Sequence, residues 1–524
     1  MLPPCLAVLA ALLGVAAFAR PLAAQSAPPT IDSIIVVTHD VFDSSEVAVN
    51  PSLGLANALH FRTRPDVVRR EILFRAGQPL DTARVAETLR NLRRMGLFRN
   101  ASADTLRVND RLVTRVQTHD GWTTSLELNG RSTGGTFTWS TGITELNFLG
   151  TGDIASLRYR KEVDRSAFTG MGIMRRMFGT RVRGQVLYSE LSDGHQAGVG
   201  IGTPWRSFSD HYAVDVGAEW ERRLVYQYRA GLRSQTYQSR SFRASGIAAT
   251  ALHAEPSGFL RVGLSGMVRN EEYVLAADTL LAVPDTVSGA VAAYLDWRRA
   301  RFAVVTHVNG FAQQEDIDLS TGLKFGAWVA PSAFGYARTG IGPFVSIGTG
   351  VPLGGGFARF SGEAHGLFSS AGLDSGQVSG SATLAVRSLP RQSTVLFLFA
   401  GAQRSPEPGS EFDLGHGVGP RAFGAHAFTG TRTVWGAFEQ RAWLVDELFN
   451  LMGLGFAAFV DYGGAWYPGE RVRRGGDVGL GLRIGATRAT GANLGRFDLS
   501  YRFGDGIAPG KSPWVFSFGR AFLY

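Results

Sequence analysis

Four ionisable residues in the last quarter of the chain are spaced so that they could bind one another through charge-assisted hydrogen bonds. Glu439 and Asp461 are acceptors, and Arg421 and Arg483 carry planar guanidiniums that can bridge two carboxylates. Alternation along a strand places Asp461 on the face opposite Val460, so the acid points inward if the apolar face meets lipid. We therefore predict that these four residues form ion pairs with one another on the inward face of the strands. The alternative is that these charges merely line a water-filled pore.

Sequence motifs of common enzymes are absent. The chain has no HExxH, no GxSxG and no P-loop, and its ten histidines do not cluster at ligand spacing. His416 and His426 flank Arg421, and we interpret them as solvated rather than metal-bound. A lipid hydrolase would need a serine nucleophile with a histidine partner, and no such grouping is visible. We expect no enzyme activity, no cofactor and no metal.

Segments that alternate like strands carry the charged residues. The clearest are residues 123–129, 154–162, 181–191, 433–443, 456–463, 478–486, 497–503 and 514–524. The last segment places aromatic residues on its even positions, which are Trp514, Phe516, Phe518, Phe522 and Tyr524. Only lipid or a core would accept such a face. We expect this strand to close a barrel at a seam with the first strand, with Leu126 on one side and Phe518 and Tyr524 on the other.

Composition also favours a β-barrel in a membrane. The chain has 66 glycines in 524 residues, 11% aromatic and 19% charged residues, and no long apolar run beyond residue 19. A bilayer can then be crossed only by a closed barrel, since every backbone amide must be paired. Residues 122–524 leave room for ~16 antiparallel strands of ~10 residues. A soluble β-sandwich would also alternate, and it is the competing fold.

The beginning of the chain predicts export. Residues 6–19 are apolar and residues 20–25 end in small side chains before Gln25, so residues 1–24 are predicted to be a signal peptide. A retained anchor is the alternative, although the apolar run is shorter than the ~20 residues that span a bilayer. Cys5 is the only cysteine, so the processed chain would contain none. The net charge of +9 comes from dispersed arginines, which does not favour nucleic-acid binding.

Residues 31–118 predict a small soluble α+β domain in the order β-α-α-β-β. A β-branched run at 31–37 precedes a helix at 65–74, and Asp81 caps a second helix that Gly96 ends. A hairpin follows around Asn109. The order resembles a POTRA domain. The amino-acid sequence of the segment also resembles that of POTRA domains, at Val67-Val68-Arg69-Arg70-Glu71, at Phe74-x-x-Gly77 and at Leu89-x-x-Leu92-x-x-x-Gly96-Leu97-Phe98.

The charged set of the last quarter resembles the Omp85 superfamily of outer-membrane assembly and secretion barrels. That family carries V/I-R-G-F/Y in a long external loop, and FxDxG in a following strand. By this resemblance, Arg421 and Phe423 correspond to the arginine and the aromatic residue of the loop motif, which the family places in the lumen. The resemblance makes Glu439, Asp461 and Arg483 the wall partners. Ala422 departs from the motif glycine, and it would be strained if that position needed a positive φ.

A second motif at the other end of the barrel region also resembles this family. Asn147-Phe148-Leu149-Gly150-Thr151-Gly152 is similar to its NFLGxG turn after the second strand. Gly479 and Gly481 are expected to leave space for the loop against the wall. Residues 195–390 show only generic strand character.

The resemblance implies outer-membrane protein insertion or polypeptide translocation, with the POTRA domain in the periplasm. Partners would be unfolded outer-membrane or secreted polypeptides, outer-membrane lipid, and periplasmic chaperones or accessory lipoproteins. Clients would pair as added strands with the POTRA sheet or the barrel seam. Counting back from a periplasmic C-terminus makes residues 404–430, 464–477 and 504–513 external, and 445–454 and 487–495 periplasmic. The alternative function is a passive porin or a structural barrel.

Overall fold

A computed structural model of the chain describes residues 29–109, 111–275, 283, 286–449, 451–487 and 494–521. The predicted signal peptide, residues 1–24, and Phe522 and Tyr524 lie outside these ranges. Four α-helices occur in them, and they are α1 (Ser44–Val49), α2 (Ser52–Leu59), α3 (Pro65–Arg69) and α4 (Thr82–Arg94). None of the described helices has the length and hydropathy of a membrane-spanning segment.

The chain contains 27 strands in the described residues, numbered here in chain order. They are β1 (Ser33–His39), β2 (Phe98–Val108), β3 (Arg111–Asp120), β4 (Thr124–Thr133), β5 (Thr136–Phe148), β6 (Asp153–Lys161), β7 (Ser166–Met174), β8 (Arg183–Leu191), β9 (Gly194–Thr203), β10 (Tyr212–Arg229), β11 (Leu232–Glu255), β12 (Gly258–Leu275), β13 (Thr286–Arg299), β14 (Phe302–Val305), β15 (Glu315–Asp318), β16 (Thr321–Ala330), β17 (Gly340–Leu353), β18 (Gly356–Ser369), β19 (Gly372–Leu389), β20 (Gln392–Arg404), β21 (Phe412–Leu414), β22 (Phe428–Gly430), β23 (Arg432–Leu448), β24 (Met452–Trp466), β25 (Gly475–Ala486), β26 (Leu494–Gly504) and β27 (Trp514–Arg520).

The N-terminal domain is a three-stranded sheet in the order β1-β3-β2, with β1 parallel and β2 antiparallel to β3. Asp81 caps α4 by accepting from the N–H groups of Ala83 and Arg84 at 2.9 and 3.2 Å. The helix expected at 65–74 is shorter, since α3 ends at Arg69. Beyond it the N–H of Leu73 donates to Thr88 Oγ1 of α4 at 3.1 Å, so a side chain replaces the helical acceptor. The identification of this domain as a POTRA stays a prediction.

Twenty of the described strands form one closed antiparallel barrel, which confirms the predicted class of fold. The expected count of about 16 strands is wrong. That count assumed loops averaging ~15 residues around strands of ~10 residues. Instead β8 and β9 are separated by residues 192–193, β10 and β11 by 230–231, and β11 and β12 by 256–257. Shorter turns leave room for four more strands.

The barrel wall alternates between an apolar exterior and a polar interior. In β26 the exterior residues Phe497, Leu499, Tyr501 and Phe503 are 40–53% exposed. Asp498, Ser500 and Arg502 between them are at most 5% exposed, because they face a filled lumen. In β27 the same alternation exposes Trp514 and Phe516 and buries Val515 and Ser517. An exterior of this kind is one that hydrocarbon would cover.

The two ends of the barrel differ. The near end, where β4 leaves the N-terminal domain, carries a long insertion that we call the lumenal hairpin, residues 300–320, built on the β14–β15 pair. The opposite, far end carries the longest described connection, the far-end loop, residues 405–431, whose two arms pair as β21 and β22. Val308 and Leu319 of the hairpin and Phe423 and Phe428 of the loop belong to one buried apolar cluster. Both segments therefore contribute to the packed interior.

The turn after the second barrel strand attaches the N-terminal domain to the near end. Asn147 is fully buried, and its Nδ2 donates to Phe61 O at 2.8 Å and to Thr63 Oγ1 at 3.0 Å. Its Oδ1 accepts from Gly152 N at 2.9 Å, and Gly150 O accepts from Arg64 N at 3.1 Å. The motif predicted as a turn therefore also docks the domain.

Candidate functional site: a buried ion network and the barrel seam

Arg421 lies inside the barrel and is bound to two wall carboxylates. Its Nε and Nη2 donate to the two oxygens of Asp461 at 2.6 and 3.0 Å, and its Nη1 donates to Glu439 Oε2 at 3.0 Å. The guanidinium carbon lies 3.8 Å from the ring centroid of Phe459, so a cation–π contact supports its plane. Arg421 is 0% exposed, and Glu439 and Asp461 are each 1% exposed. Such pairs hold strongly because removing one partner leaves a charge buried and uncompensated.

The residues that follow Arg421 secure the same stretch of loop. Ala422 is fully buried, its φ is not positive, and its N–H donates to Asp477 Oδ2 at 3.1 Å. The departure from the motif glycine therefore causes no backbone strain here. Phe423 is 0% exposed and packs on Phe428 with ring centroids 5.1 Å apart. The loop is thus fixed by charge, by backbone and by apolar contact.

Glu439 connects Arg421 to a wider set of wall charges. Its Oε1 accepts from Arg441 Nε at 3.1 Å and from Arg483 Nε and Nη2 at 3.2 and 3.0 Å. Arg483 Nη1 also donates to Asp498 Oδ1 at 2.6 Å, and Asp498 pairs in turn with Arg496. The buried set contains four arginines, Arg421, Arg441, Arg483 and Arg496, and four carboxylates, Glu439, Asp461, Asp477 and Asp498. Its formal charges balance.

Gly479 and Gly481 create space for wall side chains rather than for the loop, so that expectation is wrong. A Cβ on Gly479 would lie 2.5 Å from Phe459 Cζ, the ring that supports Arg421. A Cβ on Gly481 would lie 1.9 Å from Asp498 Oδ1 and 2.8 Å from Arg483 Nη1. Both positions lack a side chain because neighbours across the ladder fill their volume.

The far-end loop also contacts the first barrel hairpin. Arg131 of β4 donates to His416 O at 2.8 Å, and Thr138 Oγ1 of β5 lies 2.8 Å from His416 Nε2. Ala425 N donates to Thr136 Oγ1 at 3.3 Å. Since Asp461 lies on β24, one loop is bound to strands on both sides of the β27–β4 junction. Residue spacing gave no sign of these contacts, because the partners lie more than 270 positions apart.

The two histidines beside Arg421 are not solvated, contrary to expectation. His426 Nδ1 lies 2.5 Å from Asp413 Oδ2, and its ring stacks on Tyr228 at 3.6 Å. Burial alone would lower the pKa of His426, but the carboxylates of Asp164 and Asp413 raise it to about 9. Burial lowers the pKa of His416 to about 4. One histidine therefore binds as a cation and the other as a neutral ring.

The seam between the last and first barrel strands is paired at few described positions. Within the described residues β27 and β4 share a single register pair, Phe518 with Ser132, whereas β26 and β27 share seven pairs. Leu126 lies six residues from Ser132, so Leu126 and Phe518 are on opposite sides of the seam but are not register partners. Leu126 is 78% exposed on the exterior. Tyr524, the third predicted seam residue, lies outside the described residues.

The lumenal hairpin links the network to the N-terminal domain, and residue patterns did not predict it. Arg441 Nη1 donates to Val308 O at 2.6 Å near the tip of the hairpin. Within its ladder, Asp316 accepts from Arg93 of α4 at 2.5 and 3.0 Å. Residues 195–390 were expected to supply only generic strands. The short, charged β15 segment was the available signal of an insertion.

Two histidines of the N-terminal domain come together with an acid, so the statement that histidines do not cluster is wrong. His39 and His119 are register partners in the parallel β1–β3 pair, with ring centroids 4.4 Å apart. Asp43 Oδ1 lies 3.7 Å from His119 Nε2. Linear spacing could not reveal this set, because β1 and β3 are separated by the whole helical part of the domain.

Fold and site together define a class of protein: a closed β-barrel whose interior loop is held to the wall by a balanced ion network. No protein-family model and no curated protein sequence matches the chain. Among solved structures it is similar to CdiB from Escherichia coli, with 11% identity, a TM-score of 0.48 and coverage of 97% of this chain and 92% of that one.

Two further solved structures are similar. CdiB from Acinetobacter baumannii gives 12% identity, a TM-score of 0.44 and coverage of 93% and 73% of the two chains. BamA from Haemophilus ducreyi lacking POTRA domains 1–3 gives 12% identity, a TM-score of 0.40 and coverage of 93% of this chain and 84% of that one. At such scores the similarity carries no argument about function, which rests on the residues of this chain.

Proposed function

We propose that this protein is an outer-membrane barrel that inserts or translocates other polypeptides, with its N-terminal domain in the periplasm. The observation that carries the proposal is the seam, where one register pair joins β27 to β4 in the described residues. Along residues 124–131 of β4 no described residue of β27 pairs. The exterior residues Leu126 and Leu128 are 78% and 85% exposed there. Where such an apolar edge is unpaired, it is a template for an added strand.

The energetic reason lies in the backbone. Each unpaired N–H or C=O in hydrocarbon costs several kcal/mol, so a client strand that enters lipid while paired to β4 avoids that cost. The N-terminal sheet offers two further edges, β1 and β2, where an extended segment could be held first. Clients would be unfolded outer-membrane or secreted polypeptides, and chaperones or accessory lipoproteins would bind the same domain. No catalytic step or cofactor belongs to this proposal.

The far-end loop would hold the resting barrel closed. It is bound to β24 through Arg421 and to β4 and β5 through His416, so it joins both sides of the seam across the lumen. Opening the seam would then require these contacts to yield or to move together. The proposal therefore gives the motif arginine a mechanical role.

A disulfide across the seam tests the proposal. Ser132→Cys with Phe518→Cys joins register partners, whose Cα separation in an antiparallel pair suits a disulfide. The assay is the rate at which an unfolded outer-membrane barrel folds into liposomes that contain the protein. We expect acceleration by the reduced variant and its loss on oxidation. Equal acceleration in both states would exclude lateral opening at this seam.

Two cysteine pairs control the experiment. Ser500→Cys with Val515→Cys joins register partners of β26 and β27 and should leave activity unchanged on oxidation. Leu126→Cys with Phe518→Cys is out of register by six residues, about 20 Å along a strand, and should not crosslink.

Planar-bilayer conductance distinguishes the alternative, a passive porin. If the protein is a passive porin, the native protein should show a large, steady conductance that Arg421→Ala leaves unchanged. The proposal predicts a closed resting barrel that this substitution opens.

A further inference from the structure

His39, Asp43 and His119 place three ligand atoms within 4.8 Å of one another in the N-terminal domain. The two histidines are held by the β1–β3 ladder, in which they are direct register partners. Their rings stack with an interplanar angle of 11°. Asp43 is the N-cap of α1, so its position is fixed by the start of that helix. Three separate elements, two strands and a helix, therefore supply the cluster.

One carboxylate oxygen of Asp43 lies beside His119, and one ring nitrogen of His39 has no described partner. Arg99 Nη2 donates to Asp43 Oδ2 at 3.2 Å and leaves Oδ1 facing His119 Nε2 at 3.7 Å. His39 Nε2 is buried and has no hydrogen-bond partner among the described residues. A buried polar atom without a partner is costly, and its presence calls for an explanation. A bound ligand supplies one.

We propose that His39, His119 and Asp43 bind a divalent transition-metal ion, with Zn²⁺ as the ion that fits best. Two imidazoles and a carboxylate are ligands that Zn²⁺ accepts, with bond lengths of about 2.0–2.2 Å. Tetrahedral ligands at such lengths lie about 3.4 Å apart, close to the 3.7 Å between His119 Nε2 and Asp43 Oδ1. To bind the same ion, the His39 ring would have to turn out of its stack on His119, so that its unpartnered nitrogen meets the metal in the ring plane. Arg99 acts as the outer partner that orients the carboxylate.

The cluster lies where an ion and its remaining water ligand could enter. His119 and Arg99 line a cavity of about 430 Å³ whose other walls include Gln313 of the lumenal hairpin and Asp446 and Thr487 of the near end. Three protein ligands leave one tetrahedral position for water from this cavity. The site thus belongs to the junction between domain and barrel.

An ion at this place would fix the segment that leads into the seam. His119 is followed by Asp120, which lies 3.0 Å from His60 Nε2 and accepts from Thr63 N at 2.7 Å. Strand β4 begins at Thr124, four residues later. Residues 43–60, which form α1 and α2, would then be clamped to β3 through Asp43 at one end and His60 at the other.

Metal titration of the full chain tests the proposal. The protein is purified without a polyhistidine tag, stripped with chelator in detergent, and titrated with Co²⁺ while its visible absorption is recorded, then with Zn²⁺ in competition. We expect one equivalent of Co²⁺ to give absorption bands of four-coordinate geometry that Zn²⁺ removes. We expect His39→Gln and His119→Gln each to raise the Kd about tenfold or more, since even outer-shell changes cost that much.

Control variants keep the outcome clear. His253 is 57% exposed at a barrel turn, so His253→Gln should leave the Kd unchanged. Should a histidine variant fold poorly, Asp43→Asn provides the same test at a half-exposed position. Binding that all variants retain, or that needs millimolar metal, would mean adventitious binding only and would overturn the proposal. So would octahedral bands that keep their intensity in His39→Gln.

Discussion

Arg93, in the last turn of α4, holds both carboxylate oxygens of Asp316 in the lumenal hairpin, with Nε–Oδ2 and Nη2–Oδ1 distances of 2.5 and 3.0 Å. The tip of the same hairpin accepts from Arg441, which donates to Glu439, the partner of Arg421. A continuous series of polar contacts therefore runs from the N-terminal domain to the far-end loop. Movement of the domain has a physical route to the interior of the barrel.

Arg93→Ala should loosen the lumenal hairpin. The pair is bidentate and about one-fifth exposed, so we expect a loss of about 1 kcal/mol in the local opening free energy of the hairpin. That corresponds to about fivefold faster amide hydrogen exchange across residues 302–318. Hydrogen exchange followed by mass spectrometry measures it.

The control for Arg93 lies on the same helix. Arg84 pairs with Asp81 at 3.4 Å, and both side chains are 44% exposed, away from the hairpin. Arg84→Ala should leave exchange of the hairpin unchanged. Equal acceleration in both variants would mean that α4 itself is destabilised, and the series of contacts would lose its support.

Arg421→Ala should release the far-end loop from the wall. Removing one partner of a buried ion pair costs about 3–5 kcal/mol, because Asp461 stays buried without its guanidinium, while Glu439 keeps Arg441 and Arg483. We expect proteolysis within residues 405–431 and a larger single-channel conductance. Arg421→Lys should rescue only in part, since an ammonium cannot reproduce the two-carboxylate fork.

A matched substitution separates this effect from loss of charge at the far end. Arg471 is 83% exposed and pairs with Asp505 at 2.8 Å. Arg471→Ala should be indistinguishable from the native protein in both measurements. A native conductance in Arg421→Ala would show that the ion network does not close the pore.

Lowering the pH should favour the contacts of His426 in the far-end loop and weaken those of His416. The pKa of His426 is raised to about 9 by Asp164 and Asp413 against the effect of burial, so its stabilising contribution is complete below about 6.5 and is lost as the pH rises through 9. Burial, with Arg131 and Arg496 nearby, lowers the pKa of His416 to about 4. Its contribution is complete above 6.5 and is lost as the pH falls towards 4.

The loop should therefore be held best near pH 6.5 and loosen on either side. Hydrogen exchange of residues 412–430 between pH 4 and 9, corrected for intrinsic exchange rates, measures this. His426→Gln should remove the alkaline limb alone, and His416→Gln the acidic limb alone. A flat profile in the native protein would contradict the assignment of both histidines.

Alternation along single strands predicted much of the wall from the sequence. The inward positions of Asp461, Asp498 and Arg502 follow from period two, since one face of each strand must meet an apolar phase. The motif spacing also selected Arg421, Glu439 and Asp461, which the structure brings into contact. The inward positions follow from the alternation within a single strand, and the contacts of Arg421 were predicted from the resemblance to a known motif.

Relations across the lumen could not be predicted in this way. The strand count depends on turn lengths, and the contacts of Arg131, Thr138 and Arg93 depend on which strands face each other once the barrel closes. The histidine pair of β1 and β3 has the same origin. Each depends on the three-dimensional ring or ladder, and no short window of residues contains both partners.

Gly479→Ala should weaken the network without removing a charge. A Cβ at this position would lie 2.5 Å from Phe459 Cζ and 2.6 Å from Leu499 O, so the ring must shift from its place under the Arg421 guanidinium and the β25–β26 ladder must also adjust. Overpacking of this kind costs about 1–3 kcal/mol. We expect partial proteolysis of the far-end loop, less than in Arg421→Ala. Gly495→Ala is the control, because a Cβ there meets atoms no closer than 3.4 Å. Similar cleavage in Gly479→Ala and Gly495→Ala would show that Phe459 does not support Arg421.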